Sequence, residues 1–305
     1  MGVFLIRRLL WLVVVLFLIA VITFVLMHSV PGGPWDGEKS LPPAVVENLN
    51  QRYGLDDPWW QQLGDYLWRL GQGDLGVSYI SQDREVREII GDGLASSFTL
   101  GLLAFGLAVT TGLMLGVLSA IRKNGLLDYA AVLFASVAAS VPSFVLGIFL
   151  VVVFSVKLGW LPSGGWGSVK EAVLPTVTLA ALPAAYLARI TRASMLEALG
   201  QDYVRTARAK GLEQRAVVLR HVLRNALIPV LTLSGPIIAG LVTGSFIVET
   251  VFSVPGVGRL FVQGVFQRDY GLIMGAALFY AFVVVMANLI VDIMYAVVDP
   301  RIRYS

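Results

Sequence analysis

Cysteine is absent from the 305-residue chain, which excludes disulfides, thiol catalysis, thiolate zinc sites and iron–sulfur clusters and leaves the redox compartment open. Histidine occurs twice, at His28 and His221, too far apart in sequence for a local metal motif. Charge is scarce too: 14% of residues are Asp, Glu, Lys or Arg, where a soluble globular domain carries roughly a quarter. Glycine is nowhere followed directly by lysine, so the phosphate-cradling loop of a nucleotide hydrolase is missing. A membrane-embedded serine hydrolase would need a base beside a buried nucleophile. Neither histidine offers one, His28 closing the first apolar run and His221 lying in a polar loop. No internal repeat of the kind many secondary carriers show is visible.

What remains is apolar. Hydrophobic residues make up 57% of the chain and the mean hydropathy is +0.77, the composition of a membrane protein. About 20 apolar residues make one helical crossing. Runs of that kind lie at about Leu9–Met27, Ser96–Ile121, Ala130–Val156, Ala172–Ala188, Ala226–Val248 and Leu272–Val291. The first follows Arg7 and Arg8 as a signal peptide would, but it is too long for a secretory apolar region and has no small-residue cleavage site after it. Pro175 and Pro183 interrupt the fourth, which is expected to continue helically to about Leu196 with Arg189 and Arg192 extended toward the interface.

Sorting the bases by loop sets the orientation. Arg7, Arg8, Arg122, Lys123, Arg189, Arg192, the six bases from Arg205 to Arg224, Arg301 and Arg303 fall on one side. Lys39, Arg52, Arg69, Arg84, Arg87, Lys157, Lys170, Arg259 and Arg268 fall on the other, together with most acids. Both termini are therefore expected in the cytoplasm. This asymmetry accounts for the net charge of +3 without a nucleic-acid partner.

The segment 31–95 is too long for a plain connection and should fold. Pro42-Pro43 and Pro58 open two amphipathic runs, Ala44–Tyr53 and Trp59–Leu70. Trp35, Trp59, Trp60 and Trp68 concentrate there, fit either for the lipid headgroup layer or for docking another subunit. Near the spans the ionisable groups are Glu249 and Asp292. Asp292 stands about two turns from the inner end, where pairing with an arginine outweighs an ion-carrying role.

The most informative stretch is the basic loop 197–225, EALGQDYVRTARAKGLEQRAVVLRHVLRN. Its propensity is helical, with breaks at Gly200 and Gly211. Two readings stay open on the residues alone: an amphipathic helix on anionic lipid, or a helix–turn–helix knob gripped by another protein.

Tyr203-Val-Arg-Thr-Ala-Arg-Ala-Lys-Gly-Leu212, followed by His221-Val-Leu-Arg-Asn-Ala-Leu-Ile-Pro229, closely resembles the coupling loop of bacterial ABC importer permeases. More narrowly the chain resembles the B-type permease subunits of oligopeptide and dipeptide importers, the oligopeptide branch in particular. Pro31-Gly-Gly-Pro34, Tyr53-Gly-Leu-Asp-Asp-Pro58, Gly73-Asp-Leu-Gly76, Val141-Pro-Ser-Phe144, Ile190-Thr-Arg-Ala-Ser-Met195, Glu249-Thr-Val-Phe252, Pro255-Gly-Val-Gly258, Arg268-Asp-Tyr270 and Asp299-Pro-Arg-Ile-Arg303 extend the resemblance along the whole chain. Where the wider family reads Glu-Ala-Ala this chain has Arg205-Thr206-Ala207, and His221 and Arg224 also depart from the pattern. An acidic partner surface facing Arg205 or Arg208 follows.

The resemblance implies an all-α polytopic fold of six transmembrane helices, the type I ABC importer permease fold. Its parts would be a first helix (1–30), an extracytoplasmic segment (31–95) and a five-helix core (96–305). It implies a non-catalytic subunit of an oligopeptide importer, paired with a second, C-type permease. ATP and Mg would sit on two separate ATPase subunits, and an extracytoplasmic binding protein would deliver peptide. No cofactor or metal is expected in this chain. The coupling residues would be Tyr203, Arg205, Thr206, Ala207, Arg208, Ala209, Lys210 and Gly211. In the fifth span Ser234, Gly235, Pro236, Gly240, Thr243, Gly244 and Ser245 permit close approach and local unwinding, and so either line the pathway or simply pack. Glu249, Pro255, Gly256, Arg268 and Asp269 are candidates for an extracytoplasmic gate or docking surface. The competing class is a proton-coupled peptide carrier, which needs no ATPase.

Overall fold

In hydrocarbon every backbone amide must find a partner within its own segment, so the apolar runs become helices. The computed structural model describes residues 2–35, 42–81 and 84–298, with residues 2–5 and 291–298 described by backbone alone. Asp292 and the 299–303 motif lie outside the described side chains. The elements are α1 (Gly2–Ser29), α2 (Pro43–Tyr53), α3 (Trp59–Gly71), α4 (Val86–Ile121), α5 (Leu126–Ser140), α6 (Ser143–Leu150), α7 (Val169–Leu199), α8 (Asp202–Ala209), α9 (Gln214–Val217), α10 (Leu223–Val242), α11 (Phe246–Val251), α12 (Val257–Gln267) and α13 (Tyr270–Val298). Single π-helical stretches extend α6 over Val151–Lys157 and join α9 to α10 over Val218–Val222. Among the described residues the extended structure is limited to one antiparallel bridge, Val77 to Glu85.

Among the described residues five helices are long and apolar enough to cross a bilayer, and a sixth crossing exists if the pair α5 and α6 forms one span. That pair corrects the expectation of a continuous third span. It bends by 107° because Pro142 lacks an amide proton and forces Val141 into extended geometry (φ −90°, ψ 121°). The second span starts earlier than the hydropathy suggests, its helix running from Val86 through 36 residues. Polar Arg87, Glu88 and Asp92 lie on its exposed face, while Val86, Ile89, Ile90 and Gly93 are buried. The fifth ends at Val242 and restarts at Phe246 rather than running through to Val248. The fourth crosses both its prolines as one helix, begun by a Ser168–Glu171 capping box.

The centre of the bundle is a seam between α4 and α7. Along α4 every fourth residue is small and buried: Ala104, Ala108, Gly112, Gly116 and Ala120. Ala180, Ala184 and Ala188 repeat the spacing on α7. A side chain at Gly112 would overlap Leu187 and Ala184, and one at Gly116 would overlap Thr191 and Ala188. The backbones are therefore as close as glycine permits, the packing that substitutes for a hydrophobic driving force inside lipid. Around this seam α10 packs on α4, α7 and α13, while α1 sits at the rim against α13 and α3. Most of the apolar side chains of α1 remain exposed, as expected of a helix facing acyl chains.

The expected amphipathic runs of segment 31–95 are α2 and α3. Leu63, Tyr66, Leu67 and Leu70 of α3 pack with Phe24 and Met27 of α1 and with Leu278 of α13. Trp59, Trp60 and Trp68 are exposed. Trp35 is corrected to an interior residue: it is buried, donates from Nε1 to Asn50 Oδ1 at 2.9 Å and stacks on Tyr79, so it is not free to anchor in lipid or dock a partner.

Candidate functional site

Three groups of residues singled out from the sequence occupy different levels of the bundle. At the end where α4 and α7 finish, α8 and α9 form a knob. Val204 and Ala207 of α8, with Val217, Val218 and Val222, bury against Ala120 of α4, Met195 and Ala198 of α7 and Ala226 of α10. The turn between its helices is closed by Leu212 N donating to Ala207 O (3.3 Å) and Gly211 N to Arg208 O (2.9 Å), with Gly211 at φ +79°. This is a Schellman cap, which needs the left-handed residue that glycine supplies at least cost. Asn225 donates to the Tyr203 hydroxyl at 3.0 Å, fixing α8 to the start of α10. Tyr203, Arg205, Thr206, Arg208, Ala209, Lys210 and Gly211 are exposed. Ala207 is corrected: it belongs to the knob's core and is not available to a partner.

Higher up, α10 gives way at Thr243-Gly244-Ser245, with Gly244 at φ +94°. Ser245 restarts the chain as the cap of α11, accepting from Val248 N at 3.4 Å. Below the break Ser234 bonds back to Val230 O, Gly235 is buried, and Pro236 and Gly240 are exposed. Of the seven pathway candidates, Thr243 and Gly244 line a groove of about 520 Å³ whose walls are mostly apolar residues of α1, α12 and α13. The other five are not among the residues that line it.

Beside the break sits Glu249, completely buried. Its carboxylate accepts from Ser97 Oγ of α4 at 2.7 Å and from Arg259 N at 2.8 Å. Ser97 Oγ in turn accepts from Val257 N at 2.8 Å. Gly244, Gly256 and Gly258 wall the carboxylate so tightly that a side chain at any of them would collide with it or its neighbours. Glu249 thus ties three pieces of chain together: the α10–α11 break, the α11–α12 turn and α4.

Asp269 is also interior. It accepts from Leu272 N at 3.1 Å, capping α13, and from Ser78 Oγ and Tyr79 N (3.0 Å) of the 77–85 hairpin. Arg268 reaches the other way and donates to Pro31 O at 3.1 Å. The pair Arg268-Asp269 therefore clamps both ends of segment 31–85 to the α12–α13 turn. Burial, and next the Asp269 carboxylate, push the Tyr79 phenol up to about 12, so it stays neutral there. The docking role expected of Glu249, Gly256 and Asp269 is corrected, because all three are buried; Pro255 is exposed and Arg268 partly so. Alanine at Asp269 should free the hairpin while leaving the spans folded. Trypsin cleavage after Arg84 is expected to accelerate at least about tenfold, the equivalent of one or two net hydrogen bonds. An unchanged cleavage rate would show that the clamp is idle.

Among the described residues no group of three or more His, Cys, Asp or Glu stands close enough to hold a metal ion. The sequence reading missed Asp128, a lone acid in the long stretch between Asp92 and Glu171. Nor did it foresee that Arg192 pairs with Asp128 through Nε at 2.7 Å. The signal was present: an acid at the start of an apolar helix has to find a base.

The chain is similar to known proteins along its whole length. Residues 112–304 match the family of binding-protein-dependent transport system inner membrane components, and residues 1–100 match the N-terminal part of such membrane components. The chain belongs to this family. It is 43% identical to the oligopeptide transport system permease protein OppB of Salmonella typhimurium over 99% of both chains. To the dipeptide transport system permease protein DppB of Bacillus subtilis it is 42% identical, over 99% of this chain and 98% of that one. Among solved structures, the inward-facing MetNI methionine ABC transporter matches with a TM-score of 0.56 at 19% identity, covering 70% of this chain and 97% of that one. An amino acid ABC transporter matches with a TM-score of 0.54 at 18% identity, covering 68% and 93%. The fold is accordingly the all-α type I ABC importer permease fold.

Proposed function

We propose that this chain is the B-type permease subunit of an ATP-driven oligopeptide importer of the bacterial inner membrane. It would form half of the translocation pathway beside a C-type permease. The observation that carries this reading is the knob of α8 and α9, seated on the ends of α4, α7 and α10 with its basic face exposed, in a chain so similar to oligopeptide permeases over its full length. A rigid projection rooted in three spans can turn movement of an attached subunit into movement of the spans. Two ATPase subunits, holding ATP and Mg, would grip Tyr203, Arg205, Thr206, Arg208, Ala209, Lys210 and Gly211 through acidic surface. The distribution of bases supports cytoplasmic termini and an extracytoplasmic segment 31–95 that receives a peptide-binding protein. The break at Thr243–Ser245 would line the pathway, where non-helical backbone is tolerated beside water or protein. The Glu249 and Arg268-Asp269 assemblies would hold its outer gate.

Reversing charge in Arg205→Glu/Arg208→Glu tests the coupling surface. Copurification of the ATPase subunits is expected to fall at least about tenfold while the permease still inserts and folds, the scale of close charge pairs at interfaces. Undiminished copurification and uptake would refute the assignment. Peptide uptake by the chain alone, driven by a proton gradient without ATP, would overturn the importer reading itself.

A further inference from the structure

α5 buries few side chains. Its buried residues are Asp128, Ala131 and Ala135, whereas Leu126, Tyr129 and Leu133 are largely exposed. Two alanines offer little apolar area, and the cluster that roots the knob contains no residue of α5. The directional contact is Asp128, 3% exposed. Its carboxylate accepts from Arg192 Nε at 2.7 Å and Nη2 at 2.8 Å, from Ser119 Oγ of α4, and from Asn124 N at 2.9 Å. Asn124 itself is held at φ +62° in the α4–α5 turn, a conformation uncommon outside glycine. One carboxylate therefore joins α4, the α4–α5 turn, α5 and α7. Arg192 lies one turn before Met195, which is in the knob's core.

Apolar residues of similar volume would hold such helices as well as a buried ion pair does, so strength is not what the pair adds. A bidentate guanidinium–carboxylate fork adds angle and register. We infer that the Asp128–Arg192 pair is a transmission link: it makes the bent third span, α5 and α6, follow the end of α7 when the knob is displaced. Both are positioning residues, and the inference rests on the importer reading above.

The test uses the complete importer, with both permeases, the ATPases and loaded binding protein in proteoliposomes, and reads peptide transported per ATP hydrolysed. In Asp128→Leu/Arg192→Met the assembled complex should melt somewhat lower, because Ser119 Oγ and Asn124 N lose their acceptor, and transport per ATP should fall roughly tenfold beyond any loss of assembled complex, within the usual range of coupling factors. Arg192→Lys keeps the charge but loses the fork, and should lower the same ratio with assembly intact. A wild-type ratio in the apolar double variant, or losses that only track the amount of assembled complex, would show that the pair merely stabilises and overturn the link. Should the double variant not assemble, a wild-type ratio in Arg192→Lys overturns it equally. Absence of ATP-dependent uptake in the wild-type complex would instead defeat the importer reading, and the link with it.

Discussion

Leucine at Gly116 is expected to abolish the folded permease. Gly116 faces Thr191 and the Ala188 carbonyl with no room for even a methyl group, and its neighbour one turn back, Gly112, is equally confined by Leu187 and Ala184. Overpacking a close seam typically costs about 1–3 kcal/mol where side chains can yield. Here the obstacles include backbone, so α4 and α7 must separate along their length. The measurement is the yield of monodisperse protein in detergent, which should drop at least about tenfold, the factor that roughly 1.4 kcal/mol sets. Alanine at the same position should fall between leucine and wild type. Gly106, also on α4, faces open space, with nothing within 4 Å of where a methyl group would stand, and Gly106→Leu should leave the yield unchanged. Equal yields for the Gly116 and Gly106 variants would show that the seam is not close-packed.

Glu249→Ala should lower the unfolding temperature more than any substitution at an exposed polar position. It strips the acceptor from Ser97 Oγ and from Arg259 N, and leaves a void between Gly244, Gly256 and Gly258. A buried donor left without an acceptor costs about 1–3 kcal/mol. Two such losses predict about 2–6 kcal/mol, before any contribution from the void. Glu249→Gln preserves shape and keeps one carbonyl acceptor, so it should retain more than half of the stability that alanine loses. A thermal melt followed by aggregation separates the two. Identical melts for alanine and wild type would mean that the glycine walls, not the carboxylate, hold the α11–α12 turn.

The sequence announced the crossings, the two amphipathic helices of segment 31–95 and the helix–turn–helix of the loop, because hydrophobic period, proline and glycine are local signals. It announced less of what depends on distant partners. The bend at Val141-Pro142 was visible as a proline, but an unbroken apolar run masked it, since hydropathy reports length and not direction. Trp35 read as an anchor by residue type and turned out interior, because Asn50 and Tyr79 supply partners that no neighbouring position reveals. Glu249 and Asp269 read as surface acids at a mouth. Their burial is decided by Ser97 and by the 77–85 hairpin, each more than 150 residues away in sequence. The four-residue spacing of small residues on α4 and α7 was legible, yet it identifies a partner only once both helices are seen together.

That seam also fixes an order of events during synthesis. α4 leaves the ribosome first, then α5 and α6, and only afterwards α7, since chains emerge from the N-terminus onward. The glycine face of α4 therefore spends an interval with no helix against it, and the third span is delivered before the surface it packs on exists. Asp128 waits for Arg192, which lies 64 residues downstream. Until that arginine arrives, the carboxylate has to stay at the aqueous edge of the bilayer, because burial without a base is so costly.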